Sequence, residues 1–246
     1  MTPGGNDGHY SYTHYADAKV AEGFDDLRFG GPIGRYLSET QERLLLSALI
    51  PLAGQHVLDV GTGTGRAARA LARAGAVVTG VDASQEMLAV ARTRAGDANI
   101  AFLPGDAHDL PFRDRSFDSA VSLRVIMHTP DWARCVAELC RVSRGRVVLD
   151  FPALGSAAAV ESVFRRMSHA LGGKTEPYRV LSERSVTHRL ASQGFRVVSL
   201  HRQFVLPIAL HKAIGSLAVS QASERMFASI GLLRLLGSPV TMVAER

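Results

Sequence analysis

Cysteine is scarce: Cys135 and Cys140 are the two in 246 residues. They stand five apart in one expected helix with no histidine partner nearby. That is neither a metal-ligand spacing nor a disulfide framework, so buried structural thiols and no metal site are expected. No apolar run reaches the ~18 residues of a membrane span. Residues 1–15 are polar and lack the charged-then-apolar order of an export signal, so a cytoplasmic address is expected. The formal net charge is +5, yet the basic residues are mostly arginines scattered over expected helices. The absence of a long Lys/Arg run argues for a solvated surface rather than a nucleic-acid site. Internal repeats and low-complexity stretches are also missing. What remains is 46% hydrophobic and 21% charged, the balance of one globular domain with a sizeable core.

The chain is organised around Gln55-His56-Val57-Leu58-Asp59-Val60-Gly61-Thr62-Gly63-Thr64-Gly65-Arg66. Val57, Leu58 and Val60 suit a buried strand. Gly61, Gly63 and Gly65 allow a sharp turn and close approach to a ligand, because no Cβ intervenes. A helix beginning at Arg66 then presents free N–H groups. The spacing is G-x-G-x-G, with Arg66 where a dinucleotide fingerprint places its third glycine. Asp59, two residues before the first glycine, would repel a pyrophosphate and suit a cationic amine. Both features disfavour an NAD-dependent oxidoreductase.

Strands expected at residues 56–60, 76–81, 100–103, 117–123 and 146–151 alternate with helices at 66–74, 85–95 and 131–142. That rhythm predicts βαβ units and a parallel sheet with helices on both faces. Beyond Pro152 come helices at 155–171 and 182–192, a strand at 195–206, an apolar helical insertion at 207–236 broken at Gly215 and Gly231, and a last strand at 238–244. The final two strands fit an antiparallel hairpin at the sheet edge. Before the sheet, residues 1–14 are expected to be disordered and residues 15–54 to form a helical lid. The lid comprises a helix over 15–24, a glycine-rich mobile loop over 28–36, and a helix over 39–50 opened by a Ser38/Gln41 capping box. The cofactor-binding core is expected over 55–151 and the C-terminal part over 152–246.

Asp82 ends the second expected strand about 20 residues beyond the glycine turn, where an acidic side chain accepts ribose hydroxyls. Ala83 follows it, Ser84 is the expected N-cap of the next helix, and Met87 is placed for adenine or core packing. Gly105-Asp106-Ala107-His108-Asp109-Leu110-Pro111-Phe112 follows the third strand. Leu123-Arg124-Val125-Ile126-Met127-His128-Thr129-Pro130-Asp131 leaves the fourth, at the carboxyl ends where open α/β sheets bind ligands. His128 is a candidate general base or a structural histidine that holds the loop. Arg124 is a candidate contact for an acidic substrate, or a solvated side chain.

The glycine turn, with Asp59, resembles motif I of the class I S-adenosylmethionine-dependent methyltransferases, especially the small-molecule branch that includes the ubiquinone/menaquinone-biosynthesis type. The resemblance spans residues 15–151 well and the rest in outline. It implies a Rossmann-like, seven-stranded, mostly parallel sheet with an antiparallel last strand and small helical caps. It also implies S-adenosylmethionine as cofactor, held by Asp59, Gly61, Thr62, Gly63, Gly65, Asp82, Ala83, Met87, Gly105, Asp106, Ala107 and Leu123. In that family the stretch matched by Gly105–Phe112 carries the Asp that meets the adenine amino group. His128 matches a frequent H-x-x-D step. The activity implied is in-line methyl transfer to oxygen, carbon or nitrogen of a small acceptor, with orientation and dehydration supplying much of the acceleration. Tyr15, Phe29 and Arg124 are the candidate substrate contacts.

Missing family features narrow the acceptor. Strand four has no Asn/Asp-Pro-Pro-aromatic exit, as the DNA amino-group enzymes have. No Pro-Cys nucleophile or paired glutamates appear, as cytosine-C5 and protein-arginine enzymes have. An RNA methyltransferase, suggested by the pI of about 9.6, and a non-catalytic cofactor-binding module are the alternatives. The 207–236 insertion is read as a pocket wall, a homodimer contact or a membrane-surface contact.

Overall fold

β1 (His56–Val60) lies inside a seven-stranded sheet between β2 (Val77–Asp82) and β4 (Phe117–Ser122), parallel to both. The computed structural model describes residues 17–170 and 178–246. β3 (Ile100–Pro104) continues the sheet beyond β2, and β5 (Ser143–Phe151) beyond β4, again in parallel. β7 (Ser238–Glu245) then inserts antiparallel between β5 and the edge strand β6 (Arg196–Phe204). The order is β3-β2-β1-β4-β5-β7-β6, so the chain reverses its direction of sheet growth between β1 and β4. The carboxyl ends of those two strands splay their loops apart and open a crevice there.

Alternation along each strand divides the core in two. Val57, Val78, Val121 and Val148 face α2 (Gly31–Leu49), α3 (Arg66–Arg73) and α4 (Gln85–Ala95), where Leu45, Leu49, Leu71 and Leu88 cover them. Leu58, Val60, Val81, Val147 and Leu149 face the other way, against α5 (Trp132–Val142) and α7 (Glu183–Ser192). Each such fully buried aliphatic side chain stabilises the fold by about 1.5–3 kcal/mol. Cys135 and Cys140 are buried in α5 as free thiols. α6 (Ala157–Ala170) follows β5.

The N-terminal helices depart from expectation. α1 runs over Ala18–Phe29, and α2 begins at Gly31 without an intervening mobile loop. Pro32 sits in the first turn of α2, where its missing N–H costs nothing. Gly34 makes the joint possible, since a Cβ there would stand 2.2 Å from the backbone carbon of Phe29. Ser38 and Gln41 are therefore mid-helix rather than a capping box, and both receive the Arg66 guanidinium instead. The apolar stripe of α2 is Ile33, Leu37, Leu45 and Leu49, with Gln41 on the same buried face.

The insertion forms α8 (Ile208–Ile214), α9 (Leu217–Ser229) and α10 (Leu232–Leu236). Gly215 and Gly231 mark its breaks in left-handed conformation, as helix ends favour. It packs on α2 through Ile33, Leu37, Phe204, Ile208 and Leu217. Glu224 anchors it from inside, accepting the N–H groups of Val205 and Leu206 at 2.9 and 3.0 Å and facing His211 Nε2 at 3.0 Å. Burial would raise the Glu224 pKa, but His211 and those N–H groups outweigh it and hold the carboxyl below its usual range. No helix among the described residues is long and apolar enough to cross a membrane.

Candidate functional site

The crevice at the ends of β1 and β4 deepens into a cavity lined from β1 by Asp59, Gly61, Thr62, Gly63 and Thr64, with Arg66 and Ala67 from α3. β2 and α4 add Asp82, Ala83, Ser84 and Met87, and the loop after β3 adds Gly105, Asp106, Ala107 and His108. Leu123, Arg124, Val125, His128 and Thr129 come from the β4 exit, and α1 closes the mouth with Phe24, Asp25, Arg28 and Phe29. All the candidate cofactor residues meet there except Gly65. That glycine instead allows close helix–sheet packing: a Cβ on it would lie 3.0 Å from the Phe102 ring and 3.1 Å from Ala91. Tyr15 lies outside the described residues.

The glycine turn is held by backbone and carboxylate together. Gly61, Gly63 and Gly65 have φ of 71°, 55° and 75°, a region L side chains avoid. The N–H groups of Gly61 and Thr62 donate to the Val81 carbonyl at 2.7 and 3.0 Å. Asp82 Oδ2 accepts the Gly63 N–H at 2.8 Å, and its Oδ1 accepts the Ser84 N–H at 2.9 Å. Each carboxylate oxygen has a second lone pair, so these bonds position Asp82 without exhausting it. Burial raises the Asp82 pKa, opposed by the N–H groups it accepts. Ser84 caps α4 by accepting the Met87 N–H at 3.0 Å, and Met87 is buried at the cavity wall.

Asp59 is buried in the cavity wall, 2% exposed. Burial pushes its pKa from 3.8 up to about 6, against the hydrogen bond that Thr62 Oγ1 donates to Oδ2 at 2.7 Å. A buried carboxylate in this state gains most from a cation brought to it.

Asp106 turns Oδ1 to the His108 backbone N–H at 2.9 Å and to its ring Nδ1 at 2.6 Å. The Asp131 N–H approaches the other ring nitrogen at a long 3.4 Å. The carboxylate is nearer and charged, so it dominates. The His108 pKa is pushed up to about 10, by Asp106 first and Cys135 second. The loop carrying this pair is fastened to α5, where Glu138 accepts the Leu110 N–H at 2.8 Å and Arg141 donates to the carbonyls of Leu110 and Phe112 at 2.9 and 2.7 Å.

At the β4 exit, Arg124 has φ 62°, uncommon for a residue with a side chain. Asp150 of β5 holds that turn by accepting the Arg124 N–H. Burial raises the Asp150 pKa, opposed by Arg124 and Arg66. Val125 and His128 close the same turn, with the His128 N–H donating to the Val125 carbonyl at 2.8 Å. His128 is 7% exposed and faces the cavity.

α1 is latched from below. Asp25 accepts Thr64 Oγ1 at 2.9 Å and pairs with Arg94 of α4. The Phe29 ring carries the Arg66 guanidinium 4.2 Å and the Arg124 guanidinium 6.0 Å from its centroid. Sequence reasoning marked Phe29 as a candidate contact but not Asp25. A lone Asp in a helix with no motif carries no local signal, and its partners lie 39 and 69 residues away. No lining residue comes from the insertion α8–α10, so the pocket-wall reading does not describe this cavity.

A family profile described as "Methyltransferase domain" matches residues 58–149. A demethylmenaquinone methyltransferase of Tropheryma whipplei is 31% identical over 180 residues, covering 66% of this chain and 75% of that protein. One of Clavibacter sepedonicus is 41% identical over 105 residues, covering 42% of this chain and 43% of its own length. The chain thus spans less than half of the Clavibacter relative and three quarters of the Tropheryma one. Among solved structures, a magnesium protoporphyrin IX methyltransferase from Synechocystis with bound S-adenosylhomocysteine shares the fold with a TM-score of 0.67. It is 20% identical, with 96% of this chain and 99% of that one covered.

Proposed function

The chain belongs to the class I S-adenosylmethionine-dependent methyltransferases, and on that premise we propose that it methylates a small-molecule acceptor bound between the β4 exit and α1. The observation that carries this reading is the set of three acids, Asp59, Asp82 and Asp106, placed at or just past three successive strand ends around a left-handed glycine turn. This donor and acceptor set fits S-adenosylmethionine. Asp59, buried with its pKa raised, suits the amino group of its methionine end. Asp82 suits the ribose hydroxyls, since its oxygens keep lone pairs beyond Gly63 and Ser84. Asp106 and the Ala107 N–H suit the adenine edge, with Met87 packed against the ring. Gly61, Thr62, Gly63, Ala83, Gly105 and Leu123 complete the walls. Gly63 permits close approach, because a Cβ there meets no protein atom within 4 Å.

When bound, S-adenosylmethionine supplies a sulfonium-activated methyl whose carbon–sulfur bond breaks towards sulfur as the acceptor's electron pair attacks. The protein's part is alignment and exclusion of water. α1, latched by Asp25, covers the cavity with Phe24 and Phe29. His128 accepts a proton from an acceptor that must lose one. The relatives described above are named for methylating demethylmenaquinone, and an apolar aromatic acceptor of that kind suits the Phe24 and Phe29 lid.

Calorimetry with S-adenosylhomocysteine, followed by incubation with labelled S-adenosylmethionine and cell extract, tests the reading. The expected outcome is tight binding and a labelled small molecule. Label on RNA, or none despite cofactor binding, sinks it. Replacing His128 with Gln should lower the rate without changing S-adenosylhomocysteine affinity and should remove the acidic limb of the pH–rate profile. An unaltered profile removes the proton-accepting role.

A further inference from the structure

Asp59, Asp82 and Asp106 line the side of the cavity formed by β1, β2 and the loop after β3, with Arg66 following the glycine turn, whereas Arg28 and Arg124 line it where α1 meets the β4 exit, with Asp25 the one acid there. Lys212, from α8, reaches the same corner and donates through Nζ to the Leu27 carbonyl, one residue before Arg28. Phe29 ties the corner together, with Arg124 and Arg66 both over its ring. The main-chain turn that delivers Arg124 is held at a φ of 62° by Asp150. Keeping a non-glycine residue there strains the backbone. A glycine would fit the turn without that cost, so the side chain is retained against a backbone penalty.

From this arrangement we infer that the methyl acceptor is an anion: an apolar, aromatic-sized molecule bearing a carboxylate or comparable acidic group that docks between Arg28 and Arg124, with Lys212 behind them. The inference rests on the methyltransferase reading and adds the substrate's charge class to it. Arg28 and Arg124 carry fork-shaped donors that suit a planar carboxylate. Phe24 and Phe29 supply apolar surface beside them. Burial lowers the Lys212 pKa first, and the charges of Arg28 and Arg124 lower it further, so the three side chains share one corner. An anion entering that corner faces both guanidinium groups. It also stands opposite the acids that take the cationic end of the cofactor, so the two ligands enter in one orientation each.

The test uses 1-naphthoate and its neutral amide 1-naphthamide as probes, titrated into the full chain saturated with S-adenosylhomocysteine. Naphthoate should bind at least about tenfold more tightly than naphthamide, the scale of one charge-assisted contact, and the preference should shrink as salt rises. Arg124→Gly should abolish the preference while leaving thermal stability equal or higher, because glycine accepts the left-handed turn. Arg28→Gln should weaken the preference and Arg28→Lys should restore part of it. Equal binding of the two probes, no binding of naphthoate, or a preference that survives Arg124→Gly overturns the inference. S-adenosylhomocysteine binding is measured first in every variant. If it fails in the unmodified chain, the methyltransferase reading itself falls, whereas intact cofactor binding without anion preference removes the acceptor assignment alone.

Discussion

Asp82 Oδ2 accepts the Gly63 N–H at 2.8 Å, so the end of β2 grips the middle of the glycine turn that leaves β1. The bond makes Asp82 serve two ends: it shapes the turn and presents a carboxylate to the cavity. Replacing it with Ala leaves the part-buried N–H groups of Gly63 and Ser84 without this acceptor, at about 1–3 kcal/mol each, and removes the proposed ribose contact. S-adenosylhomocysteine affinity should fall at least about tenfold in Asp82→Ala. Asp82→Asn keeps an oxygen for Gly63 and should lose less. Calorimetry decides, and unchanged affinity in the alanine variant defeats the assignment.

Gly61 and Gly63 share left-handed backbone but not surroundings. A Cβ on Gly61 would stand 2.2 Å from Val125 Cγ2, whereas one on Gly63 meets no protein atom within 4 Å. Gly63→Ala should therefore cost only backbone strain, about 1–2 kcal/mol, with its larger effect on cofactor affinity. Gly61→Ala should lower Tm further by driving Val125 and the β4 exit outward. Adding Val125→Ala should recover part of that loss, because the clash is between two side chains. Denaturation of the three variants reads this directly. Non-recovery in the double variant would mean that strain alone explains Gly61.

Asp25 latches α1 to Thr64 and Arg94, and α1 carries the lid residues Phe24, Arg28 and Phe29. Asp25 and Arg94 are only part-buried, so their ion pair contributes on the order of 1 kcal/mol after screening. Asp25→Ala should leave global Tm nearly unchanged and speed S-adenosylhomocysteine dissociation several-fold in stopped-flow measurements. A large drop in Tm with unchanged dissociation would assign Asp25 to stability instead.

The sheet was legible because its signals are local. Val57-Leu58-Asp59-Val60 ends in glycines, Ser84 caps α4, and Gly215 and Gly231 punctuate the insertion. The joint between α1 and α2 was not. Gly30-Gly31-Pro32 reads as a loop, and only the backbone of Phe29 pressing on Gly34 turns it into two abutting helices. Asp59, Asp82 and Asp106 announced themselves by position after strands. Asp25, Asp150 and Lys212 did not, because each acts on a partner at least 26 residues away. The packing role of Gly65 was hidden for a related reason: its neighbours Phe102 and Ala91 are distant in sequence.

Asp59 links the stability of the protein to its cofactor. Its pKa is raised from 3.8 to about 6, chiefly by burial, so the folded state holds its proton longer than the unfolded state. Stability from this group is fully present below about pH 4 and declines as pH rises to about 6. Above that it stays reduced by about 3 kcal/mol at ~1.4 kcal/mol per unit. Asparagine mimics the protonated acid and keeps an acceptor for Thr62. Asp59→Asn should therefore be more stable than the unmodified chain at pH 7 by up to that amount, with the difference vanishing near pH 4. The same change should weaken S-adenosylmethionine, because the neutral amide offers its amino group no charge. In the unmodified chain, that amine should drive Asp59 to ionise, releasing roughly half a proton at pH 6. Calorimetry in two buffers of different ionisation enthalpy measures the release, and Asp59→Asn should abolish it. An Asp59→Asn protein no more stable at pH 7, or one releasing the same proton on binding, would show that the acid is already ionised and satisfied without the cofactor.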